Sequence, residues 1–109
     1  MQVTWIGASG KVYTTQLCDF TRTFVRNPGI YIFCRPAGTL NQWTAIYVGE
    51  TDNFDDRLCV NLRSHHQWDG IQRERATNVC CLYVPGPRAT RLAIETDLRA
   101  ALRPPCNRQ

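Results

Sequence analysis

Gly29-Ile30-Tyr31-Ile32-Phe33-Cys34, followed after a loop over 36–42 by Trp43-Thr44-Ala45-Ile46-Tyr47-Val48, is the stretch that decides the fold. Both runs are built from β-branched and aromatic residues, which suit a pleated, buried surface. The short connection between them predicts an antiparallel hairpin, with Gly49 ending the second strand. Each run places a tyrosine near a glycine, in opposite order: Gly29-Ile30-Tyr31 and Tyr47-Val48-Gly49. Tyrosine in a strand ordinarily serves packing, so the pattern alone leaves packing and chemistry both open.

Upstream, Val3-Thr4-Trp5-Ile6, then Gly7-Ala8-Ser9-Gly10, then Lys11-Val12-Tyr13-Thr14-Thr15 reads as strand, turn, strand. Residues 16–28 read as irregular and close on the turn signal Asn27-Pro28. Downstream, Thr51 or Asp52 can cap a helix whose first turn holds Asp55 and Asp56 and whose apolar stripe is Phe54, Leu58 and Leu62. That helix should fray near His65-His66. A shorter helix is expected from about Asp69 to Ala76, and a strand over 78–84 that Pro85-Gly86-Pro87 breaks. Residues 88–102 form the last helix, with Leu92, Ile94, Leu98 and Leu102 as its apolar set and Pro104-Pro105 beyond its end. Hairpins mixed with helices imply an α+β domain, a small mixed or antiparallel sheet flanked by helices. The 109 residues are expected to make a single domain, with an N-terminal hairpin and loop over 1–28 ahead of a core over 29–107.

Composition narrows the class. An apolar content of 43% is that of a globular chain and excludes disordered and collagen-like structure. No apolar run is long enough to cross a membrane as a helix. Met1-Gln2-Val3-Thr4-Trp5 does not begin a basic-then-apolar leader, so a cytoplasmic protein is expected. The net charge of +4 is compatible with nucleic acid, and the 12 Arg against 1 Lys suit bidentate phosphate contacts as well as they suit a GC-rich genome. Six cysteines stand without a C-x-x-C pair, and the adjacent Cys80-Cys81 point to opposite faces of a strand. They read as reduced, mostly buried thiols, with zinc or oxidised cysteine as the other readings.

Glu95 interrupts the apolar arc of the last helix. It lies between Leu92 and Leu98 around the helix axis. A carboxylate there is costly unless a charge offsets it. A divalent cation would do so, and so would Arg91 and Arg99 at i−4 and i+4. Arg57 stands one residue before the apolar Leu58 and can reach back over the sheet, while His65-His66 can serve as proton donor, ligand or solvated helix end.

Taken in order, these residues resemble the GIY-YIG nuclease superfamily. Residues 29–31 match the first signature, and Tyr47-Val48-Gly49 matches the second with Val for Ile. Arg57 falls where the family's helix carries its arginine, Glu95 where its last helix carries a metal-binding glutamate, and Pro104-Pro105-Cys106-Asn107 resembles the closing Pro-Pro-x-Asn of many members. The resemblance spans residues 29–107. Where members often place His or Tyr one turn after the arginine, this chain has Asn61, and His65 lies a turn further on; Glu50 follows Gly49 where some members carry Lys.

The resemblance implies a DNA endonuclease using one Mg²⁺ or Mn²⁺ ion per active site. Glu95 would anchor the metal, Arg57 would contact the scissile phosphate, Tyr31 or Tyr47 would orient or deprotonate water, and His65 would aid proton transfer. Gly49, Thr51, His66 and Asn107 would line the substrate, Asn107 alternatively tying down a strand end. A short chain of this kind suggests a bacterial or phage protein acting on DNA without a membrane, with a second copy or a partner supplying specificity. A nucleic-acid-binding module without turnover is the alternative reading of the same residues.

Overall fold

The computed structural model describes residues 1–20, 24–60 and 67–107, with backbone only for Cys59 and Val60. Five strands, β1 (Gln2–Ile6), β2 (Val12–Asp19), β3 (Gly29–Pro36), β4 (Trp43–Thr51) and β5 (Asn78–Tyr83), form one sheet in the order β1-β2-β5-β3-β4. Every neighbouring pair is antiparallel. The expected α+β class therefore takes its wholly antiparallel form. The helices are α1 (Trp68–Arg73) and α2 (Arg88–Leu102), with a wide π-type turn at Asp56–Val60 and a 3₁₀ turn at Pro105–Asn107.

The strand β3 is buried from Gly29 to Cys34 because both faces of the sheet are covered. One face carries Tyr31, Phe33, Tyr47, Phe54, Leu58, Ile71 and Val79. The other carries Trp5, Ile30, Ile32, Val48, Cys80 and Leu98. Each fully buried aliphatic side chain contributes roughly 1.5–3 kcal/mol of transfer free energy. Cys18, Cys34, Cys80 and Cys106 are buried as thiols, and Cys34 and Cys80 face each other with sulfurs 3.9 Å apart, joined by a hydrogen bond.

Three local expectations are corrected. Residues 16–19 are strand, not irregular: Gln16, Leu17, Cys18 and Asp19 pair with Cys81, Cys80, Val79 and Asn78. Their extended state comes from a partner some sixty residues away in the chain, which local propensity does not report. Gly49 does not stop β4, because Gly49, Glu50 and Thr51 go on pairing with Tyr31, Ile30 and Gly29. In α2, Leu92 lies exposed and Arg91 is buried instead.

The N-terminal hairpin is joined to α2 through Asp97. The Asp97 carboxylate accepts hydrogen bonds from the Ser9 backbone N–H at 2.8 Å, the Ser9 hydroxyl at 2.7 Å and the Tyr13 hydroxyl at 2.7 Å. These donors hold the Asp97 pKa below its usual value, and burial with the same carboxylate pushes Tyr13 up to about 12. A carboxyl group with a lowered folded-state pKa adds stability above its unfolded pKa and loses it as pH falls through the folded one. Asp97→Asn is accordingly expected to lower the melting temperature at pH 7, by an amount that shrinks as pH falls below the unfolded value of 3.8, measured by circular dichroism.

Candidate active site

The site forms at the free edge of β4, where side chains from both faces of the sheet meet. A bulge at β4 decides its composition. Cys34 pairs with Ala45 but Phe33 pairs with Tyr47, leaving Ile46 as the extra residue. Without the bulge Tyr47 would oppose Ile32 and point to the other face, since successive side chains alternate. With it, Tyr47 joins Tyr31 and Phe33, the two tyrosine rings stacking with centroids 6.0 Å apart.

The Tyr31 and Tyr47 hydroxyls share a hydrogen bond. Burial raises both pKa values; the hydrogen bond raises that of Tyr31 and lowers that of Tyr47. Arg57 lowers both, Arg99 lowers Tyr47, and Glu95 opposes them. Tyr47 is thus the phenol whose ionised form has the more support.

Gly49 admits this arrangement. A Cβ at Gly49 would run into the Tyr31 ring and hydroxyl. Gly49→Ala is expected to cost about 1–3 kcal/mol through overpacking and to displace the Tyr31 phenol. Thermal melting and the near-UV tyrosine signal check both, and an unchanged near-UV spectrum would contradict the displacement.

Arg57 sits half-buried in the π-type turn, between Phe54 and Leu58, which are buried as expected. The cap of this turn differs from expectation. Asn53 supplies it, its side-chain oxygen accepting from Asp55 N–H at 3.0 Å and Asp56 N–H at 3.3 Å. Thr51 tightens the preceding bend, its hydroxyl donating to the Asn53 carbonyl and accepting from the Asn53 N–H, both at 3.1 Å. The Thr51 hydroxyl is therefore committed to the protein. Leu62, His65 and His66 lie outside the described residues.

Glu95 reaches the β4 edge from α2. Burial raises its pKa, while Arg99 and a backbone hydrogen bond from Glu50 lower it. Arg99 lies 3.7 Å away, as the i,i+4 spacing predicted. Arg91 does not bracket Glu95. Its Nε is 3.2 Å from Glu50 and its Nη1 donates to the Gly86 carbonyl at 3.1 Å. The neighbouring Arg88 Nε is 2.7 Å from the other Glu50 oxygen. Glu50 thus points at two guanidinium groups, an arrangement the sequence did not disclose; its signal was the Arg88, Arg91, Glu95 spacing along one helix side.

Asn107 grips the same edge. Its Oδ1 accepts from Val48 N–H at 2.7 Å and its Nδ2 donates to the Val48 carbonyl at 2.9 Å. The amide replaces a missing strand neighbour, so of the two roles expected for Asn107 the geometry matches the tying of a strand end.

Glu95 is the carboxylate at this edge with the chemistry to hold a divalent cation. Its carboxylate is partly buried and has one long ion pair among the described residues. No group of three or more His, Cys, Asp or Glu gathers among the described residues, so Glu95 would hold a cation as a lone carboxylate. Mg²⁺ is often held by one or two carboxylates with waters completing its octahedron.

No family model matches the chain, and no curated protein matches it. Solved structures do. The GIY-YIG N-terminal endonuclease domain of UvrC from Thermotoga maritima bound to its catalytic divalent cation, magnesium, is 26% identical, with TM-score 0.59, over 76% of this chain and 85% of that one. A Tyr-to-Phe variant of the same domain, bound to its catalytic divalent cation, is 26% identical, with TM-score 0.61, over 78% of this chain and 87% of that one. Among the described residues no helix is long and apolar enough to cross a membrane. The chain has the fold of the GIY-YIG endonuclease domain.

Proposed function

We propose that this protein is a metal-dependent endonuclease that hydrolyses DNA phosphodiester bonds with one divalent cation per active site. The observation that carries the reading is the convergence of the hydrogen-bonded Tyr31–Tyr47 pair, Arg57 and the partly buried Glu95 at one sheet edge. The metal-bound UvrC domain of the same fold supports it.

Phosphodiester hydrolysis needs a deprotonated water, neutralisation of charge at the phosphate, and help for the leaving oxygen. Tyr47 takes the proton from water. Holding an ordinary tyrosine ionised at pH 7 costs about 4 kcal/mol; burial and the Glu95 charge add to this cost at Tyr47, and the Tyr31 hydrogen bond with the Arg57 and Arg99 charges offsets part of what they add. Arg57 places its planar fork against the scissile phosphate. Glu95 is the carboxylate that would hold Mg²⁺ or Mn²⁺, which when bound would supply positive charge against the charge that develops in the reaction. Asn107 positions this edge by fixing Val48, one residue after Tyr47.

Supercoiled plasmid incubated with Mg²⁺ or Mn²⁺ tests the reading. Nicking that EDTA abolishes is the expected result. A folded protein that binds DNA with a salt-dependent affinity and never cuts it would replace this reading with a non-catalytic binding module.

A further inference from the structure

Beside the tyrosine pair and Glu95 lies a cleft of about 340 Å³ lined by Glu50, Thr51, Asp52, Arg57, Arg88 and Arg91. Three guanidinium groups face two carboxylates there, leaving one net positive charge. The charges are arranged in an order that suggests a task. Glu50, with its side chain 11% exposed, accepts from both Arg88 and Arg91. Arg91, 6% exposed, is fixed at both ends, by Glu50 and by the Gly86 carbonyl. Arg88 is fixed at Nε alone and is 69% exposed, so its two Nη groups, without a partner among the described residues, face solvent. A guanidinium held by one nitrogen and free at the other two is oriented without being satisfied, which suits bidentate capture of a phosphate.

We propose that this cleft is a second phosphate subsite, in which Arg88, oriented by Glu50, binds a nucleic-acid backbone phosphate next to the one at Arg57. Glu50 is a positioning residue: its charge is engaged by the two arginines and does not repel the substrate. The inference rests on the nuclease reading above, and it adds to it a phosphate contact made by the N-terminal end of α2.

The test is fluorescence anisotropy of a short labelled DNA duplex in EDTA, so that no cutting occurs, across a series of salt concentrations. Removing one phosphate-binding cation lowers the slope of log K against log salt by about 0.9, which is about eightfold in affinity at 0.1 M salt. Arg88→Ala is expected to show both changes. Lys11→Ala, which removes one exposed positive charge outside the cleft, is expected to show neither. Glu50→Ala adds net positive charge, so charge counting predicts tighter binding; positioning predicts weaker binding, with thermal melting confirming that the variant is folded. Equal slopes for the wild type and Arg88→Ala, or tighter binding by Glu50→Ala, would overturn the subsite while leaving metal-dependent nicking untouched. Inorganic phosphate is the second probe. A melting shift with phosphate alone that Arg88→Ala abolishes, without any change in DNA slope, would overturn the nucleic-acid assignment. A wild type that neither binds nor cuts DNA would overturn the nuclease reading and the subsite together.

Discussion

Glu95→Gln is expected to abolish metal-dependent plasmid cleavage, by about 10³-fold or more, without unfolding the protein. Loss of charge stabilisation at the phosphate removes several kcal/mol from the transition state, and each 1.36 kcal/mol is tenfold in rate. The same substitution should not destabilise the metal-free fold. Burial raises the Glu95 pKa, so the folded state binds this proton more tightly than the unfolded state does. Stability from such a group is present below the unfolded pKa and is lost as pH rises through the folded one. At pH 7 the ionised Glu95 is therefore a net cost that the neutral amide removes, and the 3.7 Å pair with the part-exposed Arg99 is weak compensation. The melting temperature of Glu95→Gln in EDTA should equal or exceed that of the wild type, and only the wild type should gain stability on adding Mg²⁺. Wild-type cleavage by this variant would remove Glu95 from the metal site.

Tyr47→Phe is expected to slow cleavage by about 10²–10⁴-fold, the usual contribution of a positioned acid–base group. It also removes the hydrogen bond shared with the Tyr31 hydroxyl, and losing such a bond costs about 0.5–1.5 kcal/mol. Tyr31→Phe separates the two tyrosines. It leaves the Tyr47 hydroxyl in place but removes the hydrogen bond that lowers the Tyr47 pKa. The rate of the wild type should climb with pH as the Tyr47 phenolate fraction grows, and Tyr31→Phe should move that climb to higher pH. Single-turnover rates from pH 6 to 10 decide the matter. A pH profile that Tyr31→Phe leaves in place, together with a small effect of Tyr47→Phe, would transfer the role of base to Tyr31.

Much of this architecture was legible in the chain. The runs Gly29–Cys34 and Trp43–Val48 carry enough β-branched and aromatic residues to be strands in any packed context, and 88–102 carries a helical pattern with no breaker inside it. Glu95 stood out because a carboxylate beside Leu98 needs a reason. The order of Tyr31, Tyr47, Arg57 and Glu95 along the chain was enough to name the fold. Other features were decided by contacts that no local pattern encodes. Residues 16–19 became a strand because β5 offered an edge to pair with. Arg91 went inside, displacing Leu92, because Glu50 and the Gly86 carbonyl offset the cost of burying its charge. Thr51 committed its hydroxyl to Asn53, and Asn107 its amide to Val48.

The sequence by itself determined which residues could do chemistry, since a residue's type fixes its donors, acceptors and charge. Only the tertiary structure decided which of them meet. The bulge at Ile46 is the clearest case. Side chains alternate with a period of two along a strand, so a single extra residue moves Tyr47 from the face of Ile32 to the face of Tyr31. That choice is made by the pairing of β3 with β4 across the whole sheet, and no window of neighbouring residues contains it.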